Sequence, residues 1–221
     1  MVMVMMTACG KTKPAEEETN EYIVKDVSFD GLFDVPKEDN HRIFYEIFVG
    51  SFSDSDGDGL GDLRGIINRL DYLNDGDVKS GKSLGIEGIW LSPINESPSY
   101  HKYDVADYMA VDDEFGTMDD LKELVSKCHD RGIKVIMDFV INHSSKENRW
   151  FKEFCKARRG EDTSSEFYDF YTCEKEPVAG RRFEKIAASD WYYECNFSGD
   201  MPELNYDNGH VRDTLDKVAR Y

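Results

Sequence analysis

Ile133-Lys134-Val135-Ile136-Met137-Asp138-Phe139-Val140-Ile141, preceded by Gly132 and followed by Asn142-His143, is the stretch on which the fold turns. Its apolar, β-branched run reads as a strand. One residue interrupts the pattern. Asp138 puts a carboxylate inside the run, and an unpaired buried charge is very costly, so it needs a partner or a polar site. In parallel sheets such groups collect at the C-terminal ends of strands, where Asn142 and His143 follow.

Working upstream, Thr117 and Asp120 form a capping-box start, and Leu121, Leu124, Val125 and Cys128 then share one helical face. Gly132 supplies the stop. Ile86 to Leu91 is a second short apolar strand. Before it, Leu63, Ile66, Ile67, Leu70 and Leu73 recur at helical spacing, with Asp62 available as N-cap. Ile43-Phe44-Tyr45-Glu46-Ile47-Phe48-Val49 is a nearly continuous apolar run, the pattern of a strand buried on both faces. Strand, helix, strand, helix, strand means parallel βαβ units, in an open sheet or a barrel; the order alone does not separate the two.

Downstream the rhythm stops. Residues 145–205 are rich in charge and aromatics, among them Trp150, Phe154, Tyr171 and Trp191, and read as an irregular insertion over the strand ends. Val211, Leu215, Val218 and Ala219 then begin a helix that reaches Tyr221, and an N-terminal part of a longer chain is the expectation. The sequence contains no transmembrane helix and no internal repeat.

The 221 residues carry 45 acids against 27 Lys and Arg, a formal charge of −18. That balance argues against a nucleic-acid backbone as partner, because binding one needs clustered cations. It suits a soluble extracytoplasmic protein. Residues 1–8 are apolar but short for an export signal and lack a basic start. Thr7-Ala8-Cys9-Gly10 is similar to a bacterial lipoprotein cleavage box, which makes Cys9 the expected lipidation site, residues 9–41 a tether, and a lipid anchor the only expected membrane contact. The plain alternative is a disordered N-terminus with an accidental cysteine. Cys155, Cys173 and Cys195 lack metal-type spacing; one disulfide among them and three free thiols are both open.

The segment Asp54-Ser55-Asp56-Gly57-Asp58-Gly59-Leu60-Gly61-Asp62 alternates carboxylates with glycines, which lets oxygens wrap a hard cation such as Ca²⁺. Asp54, Asp56, Asp58, Leu60 and Asp62 are the expected ligands. An EF-hand is excluded: its twelfth position, counted from Asp54, is Gly65 rather than Glu, and a strand precedes the loop. A solvated acidic turn is the plain alternative, opposed by the mutual repulsion of the carboxylates. His101, Tyr103, Asp104 and Asp107 follow the second strand, as Asp138, Asn142 and His143 close the third. Any one of these is ordinary; two strand ends presenting His, Asp and an aromatic together point to a binding cleft.

These motifs resemble one family. Asp138-Phe139-Val140-Ile141-Asn142-His143 resembles the first conserved region of the α-amylase family, glycoside hydrolase family 13, and Tyr103-Asp104-Val105-Ala106-Asp107-Tyr108 its Tyr-Asp segment. Phe115-Gly116-Thr117 and Gly132-Ile133-Lys134-Val135-Ile136 also match. The Asp54–Asp62 loop is similar to the Ca²⁺ loop of oligo-1,6-glucosidases, and Met201-Pro202-Glu203-Leu204-Asn205 to a region near the end of domain B.

The resemblance implies an α/β fold: the first three βα units of a (β/α)8 TIM barrel over 42–144, domain B inserted over 145–205, and a return to the barrel over 206–221, with the barrel incomplete. It implies an α-glucan or maltooligosaccharide substrate and retaining hydrolysis. Tyr103 would stack on a glucose, His143 would donate to its hydroxyls, Asp104 and His101 would lie beside it, and Asp138 would support the site. Retaining glycosidases need two carboxylates about 5–5.5 Å apart, and in this family these follow strands four and five. They are expected beyond Tyr221, no catalytic residue is assigned within the chain, and the chain alone is expected to be inactive and poorly folded, with an open sheet edge. An oligo-1,6-glucosidase or other α-glucosidase is the alternative activity. A calcium-binding module without chemistry and a catalytically dead relative are the alternatives of other classes.

Overall fold

The computed structural model describes residues 42–77 and 80–221. The signal-like segment, the tether and Cys9 lie outside the described residues. Three parallel strands, β1 (Phe44–Ile47), β2 (Gly88–Leu91) and β5 (Lys134–Met137), form a sheet in the order β1-β2-β5. Each pair is joined by a crossover containing helix, as parallel pairing requires.

Asp62 caps α2 (Leu63–Asn68) by accepting the Gly65 N–H at 2.6 Å, and α3 (Leu70–Leu73) continues it after a break at Arg69. Leu63, Ile66, Ile67, Leu70 and Leu73 are all buried, as their spacing requires. Helix α4 (Met118–Asp130) has both halves of its capping box: Thr117 Oγ accepts the Asp120 N–H, and the Asp120 carboxylate accepts the Thr117 N–H. Gly132 follows with φ 74, the left-handed conformation that ends a helix without a Cβ penalty.

The strands are shorter than their apolar runs. Val49 begins a one-turn helix, α1 (Val49–Phe52), and β5 stops at Met137, with one more ladder bond from the Asp138 N–H to the Leu91 carbonyl. Burial on both faces is not observed either. Ile47, Ile89 and Leu91 face the helices and join their core, whereas Phe44, Trp90 and Ile136 are about half exposed on the opposite face. Glu46, Trp90 and Ile136 are in register there, and Asp138 follows on the same face. In a closed barrel this face looks inward. Between β2 and α4 lies a small antiparallel pair, β3 (Asn95–Glu96) and β4 (Asp107–Val111).

Residues 145–205 are more regular than their sequence suggests. Asn148 caps α5 (Arg149–Arg159), and β6 (Cys173–Glu174), β7 (Phe183–Lys185) and β8 (Tyr192–Glu194) form an antiparallel sheet in the order β6-β8-β7. A second core holds them, built on Phe151, Phe154, Phe170, Tyr171 and Tyr193. The buried Arg158 obscures the helical pattern: its guanidinium lies between the rings of Tyr168 and Trp191, at 3.8 and 4.2 Å, and pairs with Asp169. Val211 and Leu215 of α6 (Gly209–Arg220) belong to the same core. Cys128, Cys155, Cys173 and Cys195 are free thiols, so no disulfide forms among the described residues.

Candidate functional site

The C-terminal ends of β2 and β5 bring together the loops that hold the sequence's polar residues. Asp138 extends β5 by one residue, its N–H donating to the Leu91 carbonyl at 3.0 Å. Its two carboxylate oxygens are both engaged: Trp90 Nε1 donates to one at 3.2 Å and the Tyr103 hydroxyl to the other at 2.9 Å. The carboxylate that interrupts the strand is half-buried and hydrogen-bonded by these two neutral donors, with no counter-charge beside it. Partial burial and the Asp138 carboxylate push the Tyr103 phenol up to about 12. It stays a hydrogen-bond donor throughout the physiological range.

Asp104 is buried and accepts hydrogen bonds from Ser97 Oγ, at 2.8 Å, and from Ser99 Oγ. His101 is half exposed; its Nδ1 lies 3.1 Å from the Tyr103 backbone N and 3.1 Å from Ser99 Oγ, which ties the ring to the Asp104 pocket. His143 is 5% exposed, and its Nε2 has no hydrogen-bonded partner. Burial lowers its pKa, with Glu203 pulling the other way, so the ring is neutral at pH 7 and free to donate or accept. Its position is set from outside: the single hydrogen of the Tyr108 hydroxyl lies between the carbonyls of His143, at 2.7 Å, and Val140, at 2.9 Å. Glu203 accepts from Asn142 Nδ2 at 2.9 Å, and Leu204 N–H bonds the Asn142 carbonyl at 3.0 Å, tying the Met201–Asn205 segment to this strand end.

Tyr103, Asp104, Asp138, His101 and His143 thus form one cluster. Asp107 does not join it; its carboxylate accepts the Met109 N–H at the start of β4. The sequence reading missed Trp90, Tyr108 and Phe197. Phe197 is 68% exposed, with its ring 5.1 Å from the His143 ring. Trp90 alternates with Ile89 and Leu91 in β2, and that position opposite the helix-facing pair was a usable signal.

In the acidic loop, one carboxylate oxygen each from Asp54, Asp56 and Asp58 converge within 4.8 Å of one another. Asp54 accepts the Gly57 and Gly59 N–H groups at 2.6 and 2.9 Å, which holds its pKa below the usual carboxylate range. Gly57 and Gly59 have φ 88 and 96, so the turn needs glycine at both. Asp62 is placed differently. Its oxygens accept Ser55 N–H and Gly65 N–H, closing the loop and capping α2 rather than joining the three-carboxylate group. A Cβ at Gly65 would stand 1.8 Å from the Ser53 carbonyl oxygen, so an EF-hand glutamate has no room at that position.

Parallel strands backed by helices, with a polar cluster at the strand ends, define an α/β enzyme scaffold, as an open sheet or as part of a barrel. Comparison with known proteins narrows this. The family described as alpha amylase, catalytic domain, matches residues 46–221. Alpha-amylase 3 of Dictyoglomus thermophilum is 40% identical over 181 residues, covering 82% of this chain and 34% of that protein. Oligo-1,6-glucosidase of Bacillus cereus is 40% identical over 191 residues, covering 81% and 32%. The solved structure of Eubacterium rectale Amy13B is similar with a TM-score of 0.74 and 46% identity, over 82% of this chain and 34% of that one. The chain belongs to the α-amylase family, glycoside hydrolase family 13, and its described residues build the first three strands of the barrel and domain B. It spans about a third of the length of the curated relatives it matches.

Proposed function

We propose that this chain forms the glucose-binding side of the cleft of a retaining glycoside hydrolase acting on α-glucosidic bonds in starch-like glucans or maltooligosaccharides. The observation that carries the reading is the Tyr103–Asp138 hydrogen bond, flanked by Asp104, His101 and neutral His143 at two strand ends. Tyr103 offers a partly exposed aromatic face to a pyranose ring, with its hydroxyl fixed. The unpartnered His143 Nε2 and the half-exposed His101 ring are groups that can bond sugar hydroxyls.

No nucleophile or general acid is assigned within residues 42–221. Both oxygens of Asp138 are occupied by donors, and Asp104 is enclosed by serine hydroxyls, so neither suits attack on an anomeric carbon. The chain alone is predicted not to hydrolyse maltotriose, and its saccharide binding is read in a protein in which the remaining strands complete the barrel. Calorimetric titration with maltotriose, repeated on Tyr103→Phe and His143→Asn, tests the reading; equal affinity in all three would contradict it. Similarity to the Bacillus cereus oligo-1,6-glucosidase favours a second reading, in which isomaltose binds more tightly than maltose.

Asp54, Asp56 and Asp58, with the Leu60 carbonyl, are proposed to hold Ca²⁺. The convergence of three carboxylate oxygens fits a hard cation, and Asp62 supports the loop from behind. Bound there, the ion would fix the connection between β1 and α2. An extracytoplasmic location with Cys9 as lipid anchor rests on the Thr7-Ala8-Cys9-Gly10 sequence; metabolic labelling with palmitate and its loss in Cys9→Ser tests it.

A further inference from the structure

Lys102 stands between His101 and Tyr103 but turns its side chain away from the cleft, into the protein. It is 2% exposed. An ammonium group so far from water is costly unless every donor is matched. Here its Nζ lies 2.6 Å from Glu114 Oε2, 2.9 Å from Asp112 Oδ2 and 3.4 Å from the Ser97 carbonyl, with the Phe115 ring centroid at 5.3 Å. Three donors meet three oxygens. Burial alone would lower the pKa of the amine, but the bonds to Glu114 and Asp112 raise it above its usual value.

The backbone adds a second observation. Lys102 has φ 61, the left-handed region that a side chain disfavours and glycine adopts freely. Strain of this kind persists only where the surroundings hold it. The turn it makes sends Lys102 inward and Tyr103 outward, toward Asp138. The clamp also reaches Asp104. Asp112 accepts the Ser97 N–H at 2.9 Å and the Glu114 N–H at 3.1 Å, while Ser97 Oγ donates to Asp104.

Building on the cleft reading above, we propose that Lys102 is a positioning residue for saccharide binding: its buried ammonium, clamped by Asp112, Glu114 and the Ser97 carbonyl, holds the left-handed turn that presents Tyr103 to Asp138 and fixes Asp104. A residue that merely stabilised the fold would not be coupled to Tyr103. The coupling is the distinguishing property.

The test is a double-mutant cycle on the full chain, read as maltotriose affinity by calorimetry alongside thermal midpoints. Lys102→Met is expected to weaken maltotriose about tenfold, the scale of a lost charge-assisted clamp. Tyr103→Phe weakens it as well, and the double variant is expected to bind no more weakly than Lys102→Met alone. A core substitution remote from the cleft, Leu124→Ala, lowers the midpoint but leaves affinity unchanged. If Lys102→Met does not fold, Glu114→Gln removes one half-exposed partner of the clamp and is expected to show the same coupling to Tyr103→Phe at smaller size. Lower midpoints with unchanged affinity, or losses that multiply independently with Tyr103→Phe, overturn the proposal while leaving the cleft reading intact. No maltotriose binding by the unaltered chain, or none lost in Tyr103→Phe, overturns both.

Discussion

The Tyr103 hydroxyl donates to Asp138 Oδ2 across 2.9 Å, joining the loop after β2 to the end of β5 over 35 residues of sequence. The bond settles the aromatic platform and the strand's stray carboxylate together. Removing the hydroxyl in Tyr103→Phe leaves Asp138 with the Trp90 donor alone. The expected loss is about 1–2 kcal/mol in maltotriose binding with little change in fold, measured by calorimetry and circular dichroism.

His143 predicts a pH dependence. Its folded pKa lies below the usual 6.5, so the folded state disfavours the imidazolium. The stability associated with the neutral ring is fully present above pH 6.5 and is lost as pH falls through the lower folded value. Thermal midpoints should therefore drop below pH 6.5 in the native chain and drop less in His143→Asn.

The acidic loop predicts a metal response. Millimolar Ca²⁺ should raise the thermal midpoint, and chelation should reverse it. Asp56→Ala and Asp58→Ala should abolish the response without unfolding the chain. Asp62→Ala should differ: it loses the cap of α2 as well, costing about 1 kcal/mol even in the presence of chelator.

Gly65→Ala should be the most damaging single change in this region. The added Cβ would meet the Ser53 carbonyl oxygen at 1.8 Å, and neither a Cβ nor a backbone carbonyl can rotate away. A loss of about 3 kcal/mol or more is expected in urea unfolding.

Local chemistry was legible in the sequence where it acts over a few residues. The Thr117–Asp120 box, the Asp62 cap and the helical spacing of Leu63 to Leu73 all report interactions within one or two turns, and the structure has each of them. That His101, Tyr103, Asp104, Asp138 and His143 come together was legible because they sit at strand ends. What escaped was long-range or disguised. Trp90 reaches Asp138 across 48 residues, and nothing near either residue announces the pair. Helix α5 was hidden by Arg158, a charge at a core position that the rings of Tyr168 and Trp191 and the Asp169 carboxylate make tolerable. The strands are shorter than their apolar runs, and one sheet face carries Glu46, Trp90 and Asp138 instead of a second core.

The most direct test of the saccharide cleft is maltotriose titration followed by NMR of the histidine ring protons. The chain has five histidines, at 41, 101, 129, 143 and 210. Saturable shifts at His101 and His143, with His129 and His210 unmoved, are the predicted result. Shifts at His129 or His210 instead, or none at any ring up to millimolar sugar, would contradict the assignment of this cluster as the glucose-binding site.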